Sequence, residues 1–209
     1  MSSRVWAIVV AAGRGTRFGG PKQLATVGGR SVLDRSISTA LDACDGVVCV
    51  VSDELRRAPE LAAAGVIAVD GGATRSASVR NGLDLVPADV DVVLVHDAAR
   101  PLADAALYAR VIAAVLAGAD AAVPVVPVVD TIRSVDGHVV DRDRLRAVQT
   151  PQGFRRAALV SAHADAADAT DDASLVEAAG GKVVLVEGDA RNLKITTPLD
   201  LSIAEALCR

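Results

Sequence analysis

Short apolar runs alternate along this chain with longer stretches in which alanine and leucine recur at helical spacing. Residues 5–10, 47–51, 66–69, 92–95, 121–126 and 183–186 read as buried strands. Residues 31–43, 54–64, 76–86, 104–117, 155–166, 172–179 and 198–207 read as amphipathic helices. The last helix opens on Thr197, Pro198 and Asp200, which supply a cap, a first-turn proline and a capping-box acid. Strands that are apolar on both faces, alternating with helices, predict an α/β fold: a mostly parallel sheet with helices on both faces. Ligands of such sheets bind beyond the carboxyl ends of the strands, and the unusual residues of this chain fall there.

One segment breaks the alternation. Between Asp130 and Gln152 two polar β-like runs flank Asp136-Gly137, a strong hairpin signal. With so little apolar content the hairpin needs something to pack on. A second copy of the chain is the simplest partner, and a flap folded over its own sheet is the alternative. The reading is therefore one domain over residues 1–209, with a protruding β-hairpin arm at about 130–150 used in dimerisation. No internal repeat, low-complexity tract or linker interrupts it.

Composition narrows the function. Aromatic residues make up 2% of a chain that is 51% hydrophobic, so Ala, Val and Leu build the core. A net charge of −4 argues against nucleic acid as a partner, and one Trp, one Tyr and two Phe leave no platform for stacking bases. Cys44, Cys49 and Cys208 show no metal-ligand spacing, and an odd count suits a reducing cytoplasm. The apolar run at residues 5–12 is too short to span a bilayer and carries no cleavage pattern. A cytoplasmic protein with no membrane partner is expected.

The chemistry concentrates after the first strand, in Ala11-Ala12-Gly13-Arg14-Gly15-Thr16-Arg17-Phe18-Gly19-Gly20-Pro21-Lys22-Gln23. A glycine-rich turn leaving a strand exposes N–H groups that cradle phosphates. A dinucleotide fingerprint requires glycine where Phe18 stands, and a Walker loop requires Gly-Lys-Ser/Thr where this chain has Gly-Pro-Lys-Gln. Pro21 delays the next helix, and Arg17 and Lys22 add two cations. Such a loop suits a triphosphate.

In the form A-A-G-x-G-x-R-x-G…P-K-Q, this loop resembles that of the methylerythritol phosphate cytidylyltransferases. Further matches follow in order: Gly71-Gly72 with Arg75 and Ser78, His96-Asp97-Ala98-Ala99-Arg100-Pro101, Asp130-Thr131 and Val140-Asp141-Arg142. Thr150-Pro151-Gln152, Thr170-Asp171-Asp172 and Asn192-Leu193-Lys194-Ile195-Thr196 complete the set. The resemblance runs from the first strand to the last helix. It implies a Rossmann-like nucleotidyltransferase domain that joins CTP to 2-C-methyl-D-erythritol 4-phosphate, in the non-mevalonate route to isoprenoids.

The same resemblance assigns roles. Arg17 and Lys22 stabilise the transition state, while Arg142 and Lys194 position the attacking phosphate. CTP lies on Ala11, Ala12, Gly13, Gly15, Arg17, Lys22, Gly72, Arg75, Ser78 and Ala98. The polyol phosphate meets Asp97, Arg100, Thr131, Arg142, Thr150, Thr170 and Lys194, with Thr131, Arg142 and Thr150 reaching it across a dimer interface. Mg²⁺ is expected as the cofactor, held mainly by CTP oxygens and water, with Asp97 the one carboxylate that would share it. Many family members carry an acid immediately after the paired glycines; this chain has Ala73, so cytosine recognition rests more on the backbone. By local chemistry alone Thr170 reads as a cap for the following helix, Arg142 as a solvated edge charge and Lys194 as a residue of a short surface strand. His96, ending a strand, reads as orienting the turn and not as a general base.

Three rivals have distinct signatures. A ribitol-5-phosphate cytidylyltransferase would share most of these motifs and differ in its polyol. An NAD(P)-dependent oxidoreductase would need different glycine spacing and an acid ending a second strand, whereas Asp42 falls within a helix. A regulatory nucleotide-binding module would lack one of the basic residues, and none is missing. Because the chain stops soon after its last helix, no fused second enzyme is expected.

Overall fold

The computed structural model describes residues 3–165 and 168–208. In chain order the strands are β1 (Val5–Val10), β2 (Thr26–Val27), β3 (Arg30–Ser31), β4 (Gly46–Val51), β5 (Ile67–Asp70), β6 (Val92–Asp97), β7 (Ala121–Pro127), β8 (Ile132–Arg133), β9 (Val139–Val140), β10 (Arg146–Val148), β11 (Gln152–Arg155) and β12 (Val183–Glu187). The helices are α1 (Val32–Ala43), α2 (Pro59–Ala64), α3 (Arg75–Leu83), α4 (Ala105–Leu116), α5 (Arg156–Ala162), α6 (Asp172–Ala178) and α7 (Pro198–Leu207). Every strand and helix read from the apolar pattern is present.

Eight strands form one sheet. Along it run β10, β7, β11, β6, β1, β4 and β5, and β12 pairs with β7. The pairs β1–β4, β1–β6, β4–β5 and β7–β12 are parallel, while β10 runs antiparallel to β7, and β11 antiparallel to β6 and β7. Alternation within the strands divides the core into two layers. Ala7, Val9, Val47, Cys49 and Leu94 pack towards Leu33, Ile37, Leu107 and Val111 of α1 and α4. Ile8, Val48, Val50, Val93 and Val95 pack towards Val79 and Leu83 of α3, Leu159 of α5 and Val176 of α6. Truncating a filled position such as Leu94 would cost about 2–5 kcal/mol. Among the described residues no helix is long and apolar enough to cross a membrane.

Several details depart from the sequence expectations. The helix expected over 54–64 splits into a 3₁₀ turn at Leu55–Arg57 and α2, because Pro59 holds Ala58 extended at ψ 128°. The helix expected over 155–166 is α5 and ends at Ala162; its last expected residue lies outside the described residues. Residues Gln152–Arg155, expected beyond the arm, form a strand inside the sheet between β6 and β7. Gly153 is required there, since a Cβ would stand 2.5 Å from Val111 Cγ1 of α4. The hairpin ladder is short, pairing only Ile132 with Val140 and Arg133 with Val139, around a turn closed by Gly137 at φ 94°. Beyond it, Arg146–Val148 returns to the main sheet on β7. Thr170 is not the cap of α6: Asp171 is, accepting from the Ser174 N–H at 3.1 Å. The capping box of α7 is complete, with Thr197 and Asp200 each accepting from the other's backbone.

Candidate active site

β1 and β6 lie side by side with Val10 opposite Asp97, so their carboxyl ends open on one edge of the sheet. The glycine-rich loop leaves the first and Asp97 ends the second. Buried Gln23 staples the loop, its Nε2 donating to the carbonyls of Ala11 at 2.6 Å and Gly13 at 2.8 Å. The Gly15 carbonyl accepts from the N–H groups of Phe18, Gly19 and Gly20 at 2.8, 3.1 and 3.3 Å. Gly15 itself sits at φ 62°, where a Cβ would stand 2.0 Å from the Gly20 oxygen; no other residue fits. The loop is thereby closed on itself, with Arg14, Thr16 and Arg17 lining a cleft of about 680 Å³.

The opposite wall comes from residues 72–75 and Ser78, and the floor from Asp97 and Lys194. Thr74 caps α3, and the Ser78 hydroxyl accepts from the Gly72 N–H at 3.0 Å while donating to the Thr74 carbonyl at 2.9 Å. Lys194 Nζ donates to Asp97 Oδ2 at 2.6 Å, and Arg75 Nε stands 3.6 Å from Asp97 Oδ1. Burial alone would raise the Asp97 carboxyl, but Lys194 and Arg75 outweigh it and hold the group at about 2. Lys22 Nζ donates to the Ile195 carbonyl at 2.6 Å. Partial burial and repulsion from Lys194 lower its pKa. Burial also works against the charge on Arg75, yet Asp172 and then Asp97 more than offset it and its pKa rises. A concave, cation-rich pocket with a pre-shaped amide loop is built to hold several phosphate groups at once.

A family model for 2-C-methyl-D-erythritol 4-phosphate cytidylyltransferase, IspD, matches residues 5–209. The chain belongs to the IspD family. A 2-C-methyl-D-erythritol 4-phosphate cytidylyltransferase of Frankia casuarinae is 48% identical, matched over 99% of this chain and 82% of that protein. One of the same name from Rhodococcus jostii is 47% identical over 97% of this chain and 94% of its own. The crystal structure of the Thermus thermophilus enzyme of that name superposes with a TM-score of 0.86 at 41% identity, covering 100% of both chains.

Of the residues that the IspD resemblance places at CTP, Ala12, Gly13, Gly15, Arg17, Lys22, Gly72, Arg75 and Ser78 line the cleft. Ala11 and Ala98 lie beneath it, their N–H groups donating to Val50 and Val10 carbonyls at 2.7 and 3.0 Å. On the polyol side Asp97 and Lys194 line the cleft, and the other five do not. Arg100 turns away, donating to the carbonyls of Asn192 at 2.8 Å and Val148 at 3.1 Å. It ties together the segments that carry Lys194 and Thr150. Thr150 is buried, its hydroxyl accepting from the Asp97 N–H at 2.9 Å and lying 3.2 Å from His96 Nδ1. Thr131 and Arg142 are exposed on the arm, Arg142 donating to the Val129 carbonyl, and Thr170 is exposed before α6.

His96 is fully buried and lines no part of the cleft, and burial pushes it down to about 4. It is no general base. Lys194 sits on no strand; its segment is a loop fastened by the Ile195 N–H to the Ala99 carbonyl at 2.8 Å. Sequence reasoning missed Arg14, Thr16, Thr74 and Thr196 as lining residues. Arg14, Thr16 and Thr196 sit inside the quoted motifs, which was the available signal.

For a divalent ion, the described residues offer no group of three or more His, Cys, Asp or Glu side chains. Asp97 supplies the one carboxylate among the lining residues, and its Oδ1, with Arg75 only at 3.6 Å, retains acceptor capacity. This fits an oxygen-seeking ion that brings most of its ligands with it.

Proposed function

We propose that the chain transfers the cytidylyl group of CTP to 2-C-methyl-D-erythritol 4-phosphate, releasing pyrophosphate and giving 4-diphosphocytidyl-2-C-methyl-D-erythritol. The observation that carries this reading is the convergence of the closed amide loop, Arg17, Lys22, Lys194 and Asp97 on one cleft in a chain of the IspD family.

The attacking phosphate monoester is ionised near neutral pH, with a second pKa of about 6. One of its oxygens bonds to the α-phosphorus of CTP as the bond to the β-phosphate bridging oxygen breaks. No proton has to be removed, so no general base is needed. The obstacle is repulsion, about 4 kcal/mol for each pair of unit charges some 4 Å apart near a protein surface. Lys22 and Arg17 offset it on the triphosphate side, and Lys194 draws in the incoming phosphate. Asp97 would hold part of a Mg²⁺ ion carried by the triphosphate, which when bound adds positive charge at the phosphoryl oxygens.

Thr131 and Arg142 act on the polyol phosphate of a partner subunit, and the chain works as a homodimer through its arm. Exposed Val129, Val135 and Val139 beside these residues support that arrangement. The compartment is the cytoplasm, where the free thiols of Cys44, Cys49 and Cys208 persist.

Pyrophosphate release from CTP with each polyol phosphate tests the substrate. Turnover is expected with methylerythritol 4-phosphate and far less with ribitol 5-phosphate. The reverse order would make the chain a CDP-ribitol synthase.

A further inference from the structure

From the cleft a chain of paired polar side chains continues into the protein interior. Arg75 faces the cleft on one side and on the other donates from Nη1 to Asp172 Oδ2 at 2.7 Å. Asp172 is completely buried, and its second oxygen lies 3.1 Å from Nε2 of buried His163. The series His163, Asp172, Arg75, Asp97, Lys194 therefore runs from the residue after α5 through α6, α3 and the end of β6 to the cleft floor. Asp172 opens α6 but is not needed to cap it, because the Asp171 side chain does so. Its carboxylate is turned inward to the guanidinium.

We propose that Asp172, held from behind by His163, is a positioning residue that sets the Arg75 guanidinium at the nucleotide side of the cleft. Arg75 has two carboxylates to choose between. With Asp172 at 2.7 Å and Asp97 at 3.6 Å it stays on its own wall, and Asp97 is left chiefly to Lys194. Without the Asp172 charge, Arg75 moves onto Asp97, leaves the nucleotide wall and competes with Lys194. Side chains held in this way present charge to a ligand without rearranging when it arrives.

The inference rests on the proposed use of CTP, so the test reads CTP binding directly, by calorimetry with Mg²⁺ on the full chain. Asp172→Asn is expected to raise the Kd for CTP about tenfold, the scale of one charge-assisted hydrogen bond. Arg75→Met should do the same, and the double variant should be no weaker than Arg75→Met alone. A Kd within about twofold for Asp172→Asn would overturn the inference, as would effects that multiply to about a hundredfold. Should Asp172→Asn fail to fold, two His163 variants decide. His163→Gln, which can present a donor where Nε2 stood, is expected to retain most of the affinity, and His163→Leu to lose about threefold. Equal Kd values in the two would overturn it. An unsubstituted chain that binds no CTP would remove the cytidylyltransferase reading itself, a failure distinct from CTP binding that ignores Asp172.

Discussion

The cleft and the arm carry their charges in opposite ways. In the cleft Asp97 lies between Lys194 and Arg75, Lys22 is fastened to the Ile195 carbonyl, and the loop above them is stapled by Gln23. On the arm, Arg133, Arg142, Arg144 and Arg146 are exposed, and two residue pairs hold the hairpin. Val135 is completely exposed at its tip. One chain therefore builds the cleft with its dipoles and cations set in advance. Its arm buries too little to fix its own side chains, and their contribution depends on what the arm packs against.

The largest expected effect lies in the cleft. Lys22→Ala should lower kcat about 100-fold and Lys194→Ala about tenfold, with circular dichroism unchanged, as for loss of a group stabilising transition-state charge. Near-normal turnover in both would make the cleft a binding module with no catalytic role.

The second concerns stability beneath the cleft. The fold accepts His96 only as the neutral imidazole, with its pKa at about 4 against an ordinary 6.5. A depressed folded pKa contributes stability fully above 6.5 and loses it as pH falls towards 4. The chain should lose about 2 kcal/mol between pH 7 and pH 5 from this group alone, by denaturant titration. His96→Asn should flatten that slope. An unchanged slope would mean that the imidazole does not titrate as its burial requires.

The smallest effect separates the two regions most sharply. Arg142→Ala should lower kcat/KM for the polyol phosphate about tenfold while leaving the Kd for CTP unchanged. Equal losses on both substrates would contradict the proposal that the arm serves the polyol phosphate alone.

Much of the cleft was legible because its signals are local. β1, β4 and β6 are buried on both faces and so read as unbroken apolar runs, and the loop from Ala11 to Lys22 carries its glycines and cations in sequence. β11 was not legible. Gln152-Gly153-Phe154-Arg155 holds one large apolar side chain, and only the neighbouring β6 and β7 make it a strand. The bond between Arg75 and Asp172 joins residues 97 positions apart, and no spacing rule reaches that far. The inward turn of Thr150 and Arg100 was not legible. Each is turned inward to hold the segments bearing Asp97 and Lys194, which only the packed fold reveals.

The central claim is that an amide-rich loop with Arg17 and Lys22 aligns the triphosphate for attack without a proton-abstracting side chain. A crystal structure of the chain with CTP and Mg²⁺ tests it most directly. The phosphates are expected against residues 11–22, with Lys22 Nζ released from the Ile195 carbonyl and in contact with a phosphate oxygen. A nucleotide bound anywhere else, or Lys22 still on that carbonyl with the triphosphate in place, would contradict the account.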